Sequence, residues 1–535
     1  MKIKDIANIR IKIIFYGIFI AFVTLLIKTV YLLHEEYDIH YNSYQEGKEN
    51  KRIDIVDRNN KILATNLVTY NLYAQPSIVR DPNKIVKDLS NILSDVAENI
   101  LLKKLSNSSY KGRVLLMRDL TPKQKYEINN LGHVGLFFHE AHKRLYPHKN
   151  LVSHLIGFVG RDKTGLAGFE KYLDDYGTKN NSLNDDVVFL SIDIDVQRIL
   201  YEELNIAVKK FDAKGGVAVV MDINNAEIYG MVSLPDFNPY YPQEILYNRN
   251  FNNKATYDLY EMGSTFKTFT FALALENNLI NMDDIYDVSK NIRIDRYRIK
   301  DFKKINEEIT AREVFTRSSN VGTAQIAQLF SKELQQDFFK KLKFFDQLNI
   351  ELIEKSHSKL LKRWGKANII TSSYGYGISV TSMHLMQATA AMLNGGTLLP
   401  ATLIKDNNNN LQAERVISTR VSKIIRELFY ETVEHGTGWR AKSKGYSIGG
   451  KTGSANKIDN KGYNEKRVLA SFIAAFPINN PKFLVLSLLD EPHGIKETGG
   501  YTTGGAVSAP IVKNIIEKMA PVLNIIPDKS NLTYQ

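Results

Sequence analysis

Apolar and polar positions change rhythm several times along this chain. Near its start, Ile13–Ile27 runs without a charge, and after Lys28 the run resumes as Thr29-Val30-Tyr31-Leu32-Leu33. About twenty apolar residues suffice to cross a bilayer as a helix, and Lys28 lies close enough to the end to snorkel. The pattern predicts a membrane-spanning helix over 11–33 behind a short tail, 1–10, that carries Lys2, Lys4 and Arg10. No small-residue cleavage pattern precedes His34-Glu35-Glu36, so an uncleaved anchor is expected. Positive charge in front and no second apolar span of that length put the rest on the far side of the membrane. In a bacterium that side is the periplasm or the cell exterior.

From Tyr37 to Asp186 the pattern is mixed. Arg52–Val56 alternates and ends in the turn Asp57-Arg58-Asn59-Asn60, whereas 82–105 is amphipathic at helical spacing. An elongated, non-catalytic α+β module is expected over 34–188. A Gly/Asn/Asp-rich stretch at 175–186 marks a shift in composition, and a second domain is expected over 189–524, followed by a tail, 525–535. That domain opens with a strand at 187–193, a helix at 196–211, and a buried strand at 216–222 turning at Asn224-Asn225 into 227–232. Helical signals then dominate to Leu393. Three late strands, at 446–455, 467–475 and 482–489, precede a helix at 507–519 started by Pro510 or capped by Ser508. Strands early and late around a helical cluster predict an α+β fold in which both ends of the domain build one antiparallel sheet with helices packed on it.

Composition narrows the function. A chain of 535 residues with 44% hydrophobic and 24% charged residues is globular and holds two or three domains. Lys+Arg exceed Asp+Glu, 70 against 58, but no basic run carries interleaved aromatics, so nucleic acid is not an expected partner. Cysteine is absent, which rules out disulfides, thiol catalysis and thiolate metal sites. The pairs His139/His142 and His148/His154 lack a matching acidic set and read as surface histidines.

One short stretch carries candidate chemistry. In Tyr260-Glu261-Met262-Gly263-Ser264-Thr265-Phe266-Lys267, a helix opening near Gly263 would put Ser264 and Lys267 on one face, where hydroxyl and amine can touch. A lysine whose pKa is depressed by burial or by a nearby cation can take a serine's proton and activate it without histidine. The spacing alone is weak, because Ser108/Lys111, Ser356/Lys359 and Ser454/Lys457 share it. Two later stretches could complete a site. Ser318 and Asn320 flank one residue at a helix start, where a hydroxyl can relay a proton and an amide can hold a carbonyl, or where they merely cap the helix. Lys451-Thr452-Gly453-Ser454 on a predicted strand offers a cation and hydroxyls to a carboxylate, with glycine letting a substrate backbone approach.

In order, Ser264-x-x-Lys267, Ser318-x-Asn320 and Lys451-Thr452-Gly453 resemble the three motifs of penicillin-binding proteins and serine β-lactamases. They stand 54 and 133 residues apart. An earlier Lys163-Thr164-Gly165 precedes the serine and is a decoy. The resemblance spreads over most of the chain after Arg52. Asp57-Arg58-Asn59, Arg144-x-Tyr146-Pro147, 154–160 and Gly165-Leu166-Ala167-Gly168-Phe169-Glu170 are similar to the pedestal, or dimerisation-like, domain of class B, monofunctional members. Met231–Pro235, Gly375-Tyr376-Gly377 and Gly436-Thr437-Gly438 are similar to their transpeptidase domain, an antiparallel five-stranded sheet with helices on both sides. Within the class, Tyr260–Gly263 and 314–322 look more like the division branch, FtsI or penicillin-binding protein 3, than like the elongation paralogue. Ile53 and Asn60 stand where the pattern usually has glycine, Met262 replaces a common proline, and Ser454 a common threonine.

The resemblance implies a peptidoglycan D,D-transpeptidase of the inner membrane that cross-links stem peptides at the division septum and is the target of β-lactams. Ser264 would be the nucleophile and Lys267 its base, with Ser318 a proton shuttle, Lys451 an electrostatic tuner and Asn320 a peptide holder. Thr452, Gly453 and Ser454 would bind substrate. No metal or organic cofactor is needed. Partners would be stem peptides and lipid II-derived glycan, a SEDS-type, FtsW-like membrane glycosyltransferase, and other division proteins. Rival readings are the elongation-specific class B enzyme and a β-lactam-sensing binding protein, which normally needs a cytoplasmic effector.

Overall fold

The structure, a computed structural model, describes residues 12, 14–29, 51–93, 97–106, 110–177, 187–241, 252–294, 297–359, 364–406, 413–459 and 462–527. Residues 14–29 are helical, with Ile14, Phe15, Phe19, Phe22, Leu25 and Leu26 all exposed. Lys12 apart, the other residues of the expected span lie outside the described set. Among the described residues no helix is long and apolar enough to cross a membrane.

The rest divides into two compact units, one containing 66–143 and the other 53–65 with 144–535. In the first, residues 70–74 pair antiparallel with Val114–Leu120 through two bulges. Where one amphipathic run was expected over 82–105, the chain forms two helices, Pro82–Ile92 and Glu98–Leu105. Asp81 caps the first, and Pro82 begins it where its missing N–H costs nothing. Leu72, Ile85, Leu89, Leu101, Leu116 and Ile128 form the core.

In the second unit, Asp57 is fully buried and turns the chain by accepting from the N–H groups of Asn59 and Lys61, both at 2.8 Å. Asn60 adopts φ +65°, the left-handed conformation that explains why its family position favours glycine. Arg58 lies over the Tyr229 ring at 3.7 Å and Asn59 donates to Asp193, the N-cap of helix α1 (Ile194–Lys210). Nearby, Arg144 donates to the buried Glu170 at 2.6 Å and lies 3.9 Å from Asp54.

The catalytic-type sheet contains β1 (Gly215–Asp222), β2 (Ile228–Leu234), β3 (Gly449–Asp459), β4 (Gly462–Phe476) and β5 (Phe483–Asp490). Its order is β3-β4-β5-β1-β2, antiparallel throughout, so the late strands do close onto the early ones through β5 and β1. β1 is apolar at nearly every position because both its faces are covered. Val217, Val219 and Met221 join one core; Ala218 and Val220 face α1 and the last helix, α6 (Gly504–Val522), in the other. Helices α2 (Lys267–Glu276), α3 (Ala311–Thr316), α4 (Asn320–Ala327) and α5 (Thr419–Glu434) belong to the first of these cores.

α6 differs from expectation. It begins at Gly504, Pro510 sits inside it, and Ser508 is buried with its hydroxyl donating to Ala470 O rather than capping. Proline removes the N–H that would bond to Ala506 O, and Arg440 donates to that carbonyl at 3.3 Å instead.

Candidate active site

The stretch from Tyr260 to Lys267 begins at a crowded junction. Tyr260 exchanges two backbone hydrogen bonds with Val380, and Gly263 N donates to Gly375 O at 3.3 Å. Gly263 and Gly375 have φ of +56° and +84°, and a Cβ on Gly375 would stand 2.1 Å from Gly263 O. Glu261 accepts from Gly377 N at 2.7 Å and from the Tyr463 hydroxyl at 3.2 Å. The Gly375-Tyr376-Gly377 segment therefore fixes the approach to Ser264.

Residues Gly263–Phe266 form one 3-10 turn, and the α-helix starts only at Lys267. In a 3-10 turn, side chains three apart eclipse, so Ser264 and Lys267 still share a side. Thr265 Oγ1 donates to Met262 O at 2.9 Å. Phe266 stacks on Phe344 at 5.2 Å and meets Phe269 edge-on, so the turn is mounted on a rigid aromatic cluster.

Ser264 is partly exposed whereas Lys267 is fully buried. The lysine Nζ donates to Ser318 O at 2.6 Å and Asn320 Oδ1 at 2.8 Å and lies within hydrogen-bond distance, 3.2 Å, of Ser318 Oγ. Burial first, then the charge of Lys451, holds its pKa well below the usual lysine range; Asp301 opposes them. A neutral amine needs only two N–H groups for the two carbonyl oxygens and keeps a lone pair for a hydroxyl proton. The amine is thus bonded to the Ser318–Asn320 turn, and no hydrogen bond joins it to Ser264 among the described residues. Such catalytic contacts commonly tighten only around substrate.

That turn is a helix-ending motif. Ser318 N donates to Phe315 O and Ser319 N to Val314 O, the pair of bonds that closes a helix with a left-handed residue, here Ser318 at φ +59°. Glycine usually takes that place. Neither Ser318 nor Asn320 caps α4; the residue between them, Ser319, is the N-cap and accepts from Gly322 N at 3.0 Å.

Lys451, also fully buried, donates to the same Ser318 hydroxyl at 3.0 Å, so one oxygen bridges two lysines. Burial pushes the Lys451 pKa down to about 7. Its strand, β3, is the sheet edge and bulges after Asn456. Thr452 Oγ1 lies 2.8 Å from Thr437 Oγ1, and Ser454 Oγ accepts from Gly504 N at 3.0 Å. Gly453 serves close approach, but of the chain itself: a Cβ there would meet Ser471 Oγ at 2.3 Å and Met262 O at 2.9 Å. The structure thus gathers Ser264, Lys267, Ser318, Asn320, Lys451, Thr452, Gly453 and Ser454 around one edge strand.

With this arrangement established, the comparisons decide the family. Residues 216–517 match the penicillin binding protein transpeptidase domain, and 48–187 match the penicillin-binding protein dimerisation domain. The chain belongs to the penicillin-binding protein transpeptidase family. This penicillin-binding protein is 35% identical over 492 residues to the probable peptidoglycan D,D-transpeptidase FtsI of Caulobacter vibrioides, covering 90% of this chain and 83% of the relative. It is 32% identical over 526 residues to stage V sporulation protein D of Bacillus subtilis, covering 90% and 80%. Against the peptidoglycan D,D-transpeptidase FtsI of a Buchnera aphidicola strain it is 29% identical over 515 residues, covering 90% and 88%.

Three neighbours of the site escaped the sequence reading. Thr437 enters only as part of the family-like Gly436-Thr437-Gly438, and Gly504 lies ahead of the helix expected at 507–519. Asp301, in a polar stretch far from any motif, gave no signal. The histidines need one correction: His154 is not on the surface but buried edge-on against Phe237 at 5.0 Å. Among the described residues, no three His, Cys, Asp or Glu are grouped to hold a metal.

Proposed function

We propose that this penicillin-binding protein is a peptidoglycan D,D-transpeptidase acting through a serine acyl-enzyme at Ser264. The observation that carries the reading is the buried Lys267 amine, depressed in pKa and hydrogen-bonded to the hydroxyl that Lys451 also holds. Neutral Lys267 takes the proton as Ser264 Oγ attacks the penultimate D-alanyl carbonyl of a stem peptide. The C–N bond to the terminal D-alanine breaks, and the leaving amine collects its proton through the Ser318 hydroxyl. An acceptor amine of a second stem then attacks the ester, gives up its proton by the same route, and releases Ser264 with the cross-link made. Asn320 holds the donor peptide, and Thr452 and Ser454 receive its terminal carboxylate. Backbone N–H groups of Ser264 and Ser454 stabilise the oxyanion, each worth about 10²–10³ in rate. β-Lactams enter the same chemistry and stop at the ester.

The remaining assignments rest on sequence. Residues 11–33 anchor the chain in the inner membrane, with the exposed apolar side chains of 14–29 in support. The segment 34–188 is the pedestal, 189–524 the periplasmic catalytic domain, and polymerised glycan comes from a SEDS-type partner. The relatives named FtsI favour a septal role, so depletion should give filaments, whereas round cells would assign the chain to elongation.

A Ser264→Ala protein should fold, by circular dichroism, and take up no fluorescent penicillin. Labelling at the level of the unaltered chain would refute the nucleophile.

A further inference from the structure

The Ser318–Asn320 turn is held from behind by a segment that none of the three motifs includes. The strands Ile292–Ile294 and Tyr297–Ile299 pair antiparallel, and the chain leaving them carries Lys300 and Asp301 to the start of α4. Asp301 Oδ1 accepts from the N–H groups of Asn320, in a short bond, and of Val321 at 3.0 Å. Its Oδ2 accepts from the Ser319 hydroxyl at 2.8 Å. The first N–H groups of any helix have no partner within it, and an anion there also meets the positive end of the helix dipole. Here a remote carboxylate takes two of those donors and Ser319 takes the next. Lys300 completes the arrangement, since its carbonyl accepts from Asn320 Nδ2 at 3.1 Å. That bond leaves Asn320 Oδ1 facing Lys267.

The geometry points to Asp301 as a positioning residue for the reaction: it clamps the turn that presents Ser318 and Asn320 to Lys267. The need for a clamp is local. Ser318 occupies a left-handed position that a non-glycine residue rarely adopts, and only the two backbone bonds that close α3 hold it there from within the turn. Released, Ser318 would relax away from the point where its oxygen meets both lysines. Among the described residues Asp301 also supplies the one anionic influence on Lys267, against the cation of Lys451 on β3; the turn itself offers only neutral groups, the Ser318 carbonyl and hydroxyl and the Asn320 amide. Removing that charge lowers the Lys267 pKa further, because an anion favours the ammonium form.

This inference rests on the transpeptidase reading, and one experiment separates the two. The second-order rate of acylation by fluorescent penicillin is measured across pH for the full chain and for Asp301→Ala and Asp301→Asn, with thermal melts as folding controls. Uptake by the unaltered chain tests the transpeptidase reading alone; the ratio of variant to unaltered rate tests Asp301. Alanine removes all three bonds, and a fall of about ten-fold or more is expected with the label still on Ser264. Asparagine can keep the backbone contacts while losing the charge. That variant should keep most of the rate with the acid limb of its profile moved to lower pH, a shift that loss of packing would not produce. Should Asp301→Ala fail to fold, the asparagine profile still decides. An Asp301→Ala rate within about two-fold of the unaltered chain, or an asparagine profile with an unmoved acid limb, overturns the proposal.

Discussion

At the scale of single residues, two buried lysines share one serine oxygen, and their roles separate by the charge each is asked to hold. In the proposed reaction Lys267 has to be neutral to accept the Ser264 proton, and burial beside another cation depresses its pKa in that direction. Lys451, at about 7, loses its charge near neutrality. Acylation by penicillin should therefore rise with pH as Lys267 gives up its proton, then fall above about 7 as Lys451 does. A stopped-flow pH profile showing both limbs is expected; a rate that climbs steadily to pH 9 would contradict the role of Lys451. Ser318 was legible in sequence as half of a motif, but its left-handed backbone was not, because a serine in place of glycine at a helix end leaves no compositional mark.

At the scale of elements, the hydrophobic rhythm carried a long way. β1 and β2, α1 and the three late strands fall close to their expected places because buried strands and amphipathic helices write themselves in alternation and in 3.6-residue periods. The errors lie where tertiary contacts override local signals. Pro510 suggested a helix start, yet Arg440 satisfies the freed carbonyl and α6 runs through it. Tertiary contacts also decide the state of His384 in the helix Ser382–Leu393, buried between the Thr381 hydroxyl at 2.8 Å and Asp346 O at 3.0 Å. Burial pushes its pKa from 6.5 down to about 4. Between those values the unfolded chain binds a proton that the folded one refuses, so stability present above pH 6.5 is lost as pH falls toward 4. At about 1.4 kcal/mol per unit the loss is roughly 3 kcal/mol. Thermal unfolding from pH 7 to 4.5 should thus fall more steeply for the unaltered chain than for His384→Gln. Parallel curves would show that His384 does not govern this pH dependence.

At the scale of the whole molecule, the site is a meeting of segments from across the catalytic domain: the turn after Gly263, the α3–α4 junction, the β3 edge, Gly375–Gly377 and the start of α6. Motif order in the sequence identified three of them, since order and spacing are shared by the family. The supporting contacts from Asp301, Thr437 and Gly504 depend on which loops the sheet brings together, and no one-dimensional pattern records that. On the proposed reading this assembly makes Ser264, among all the serines, the nucleophile. The most direct test is to incubate the full chain with benzylpenicillin, digest it, and locate the added mass by tandem mass spectrometry. One adduct, the mass of the intact antibiotic, is expected on the Ser264 hydroxyl; an adduct on Ser318 or Ser454, or none at all, would refute Ser264 as the nucleophile.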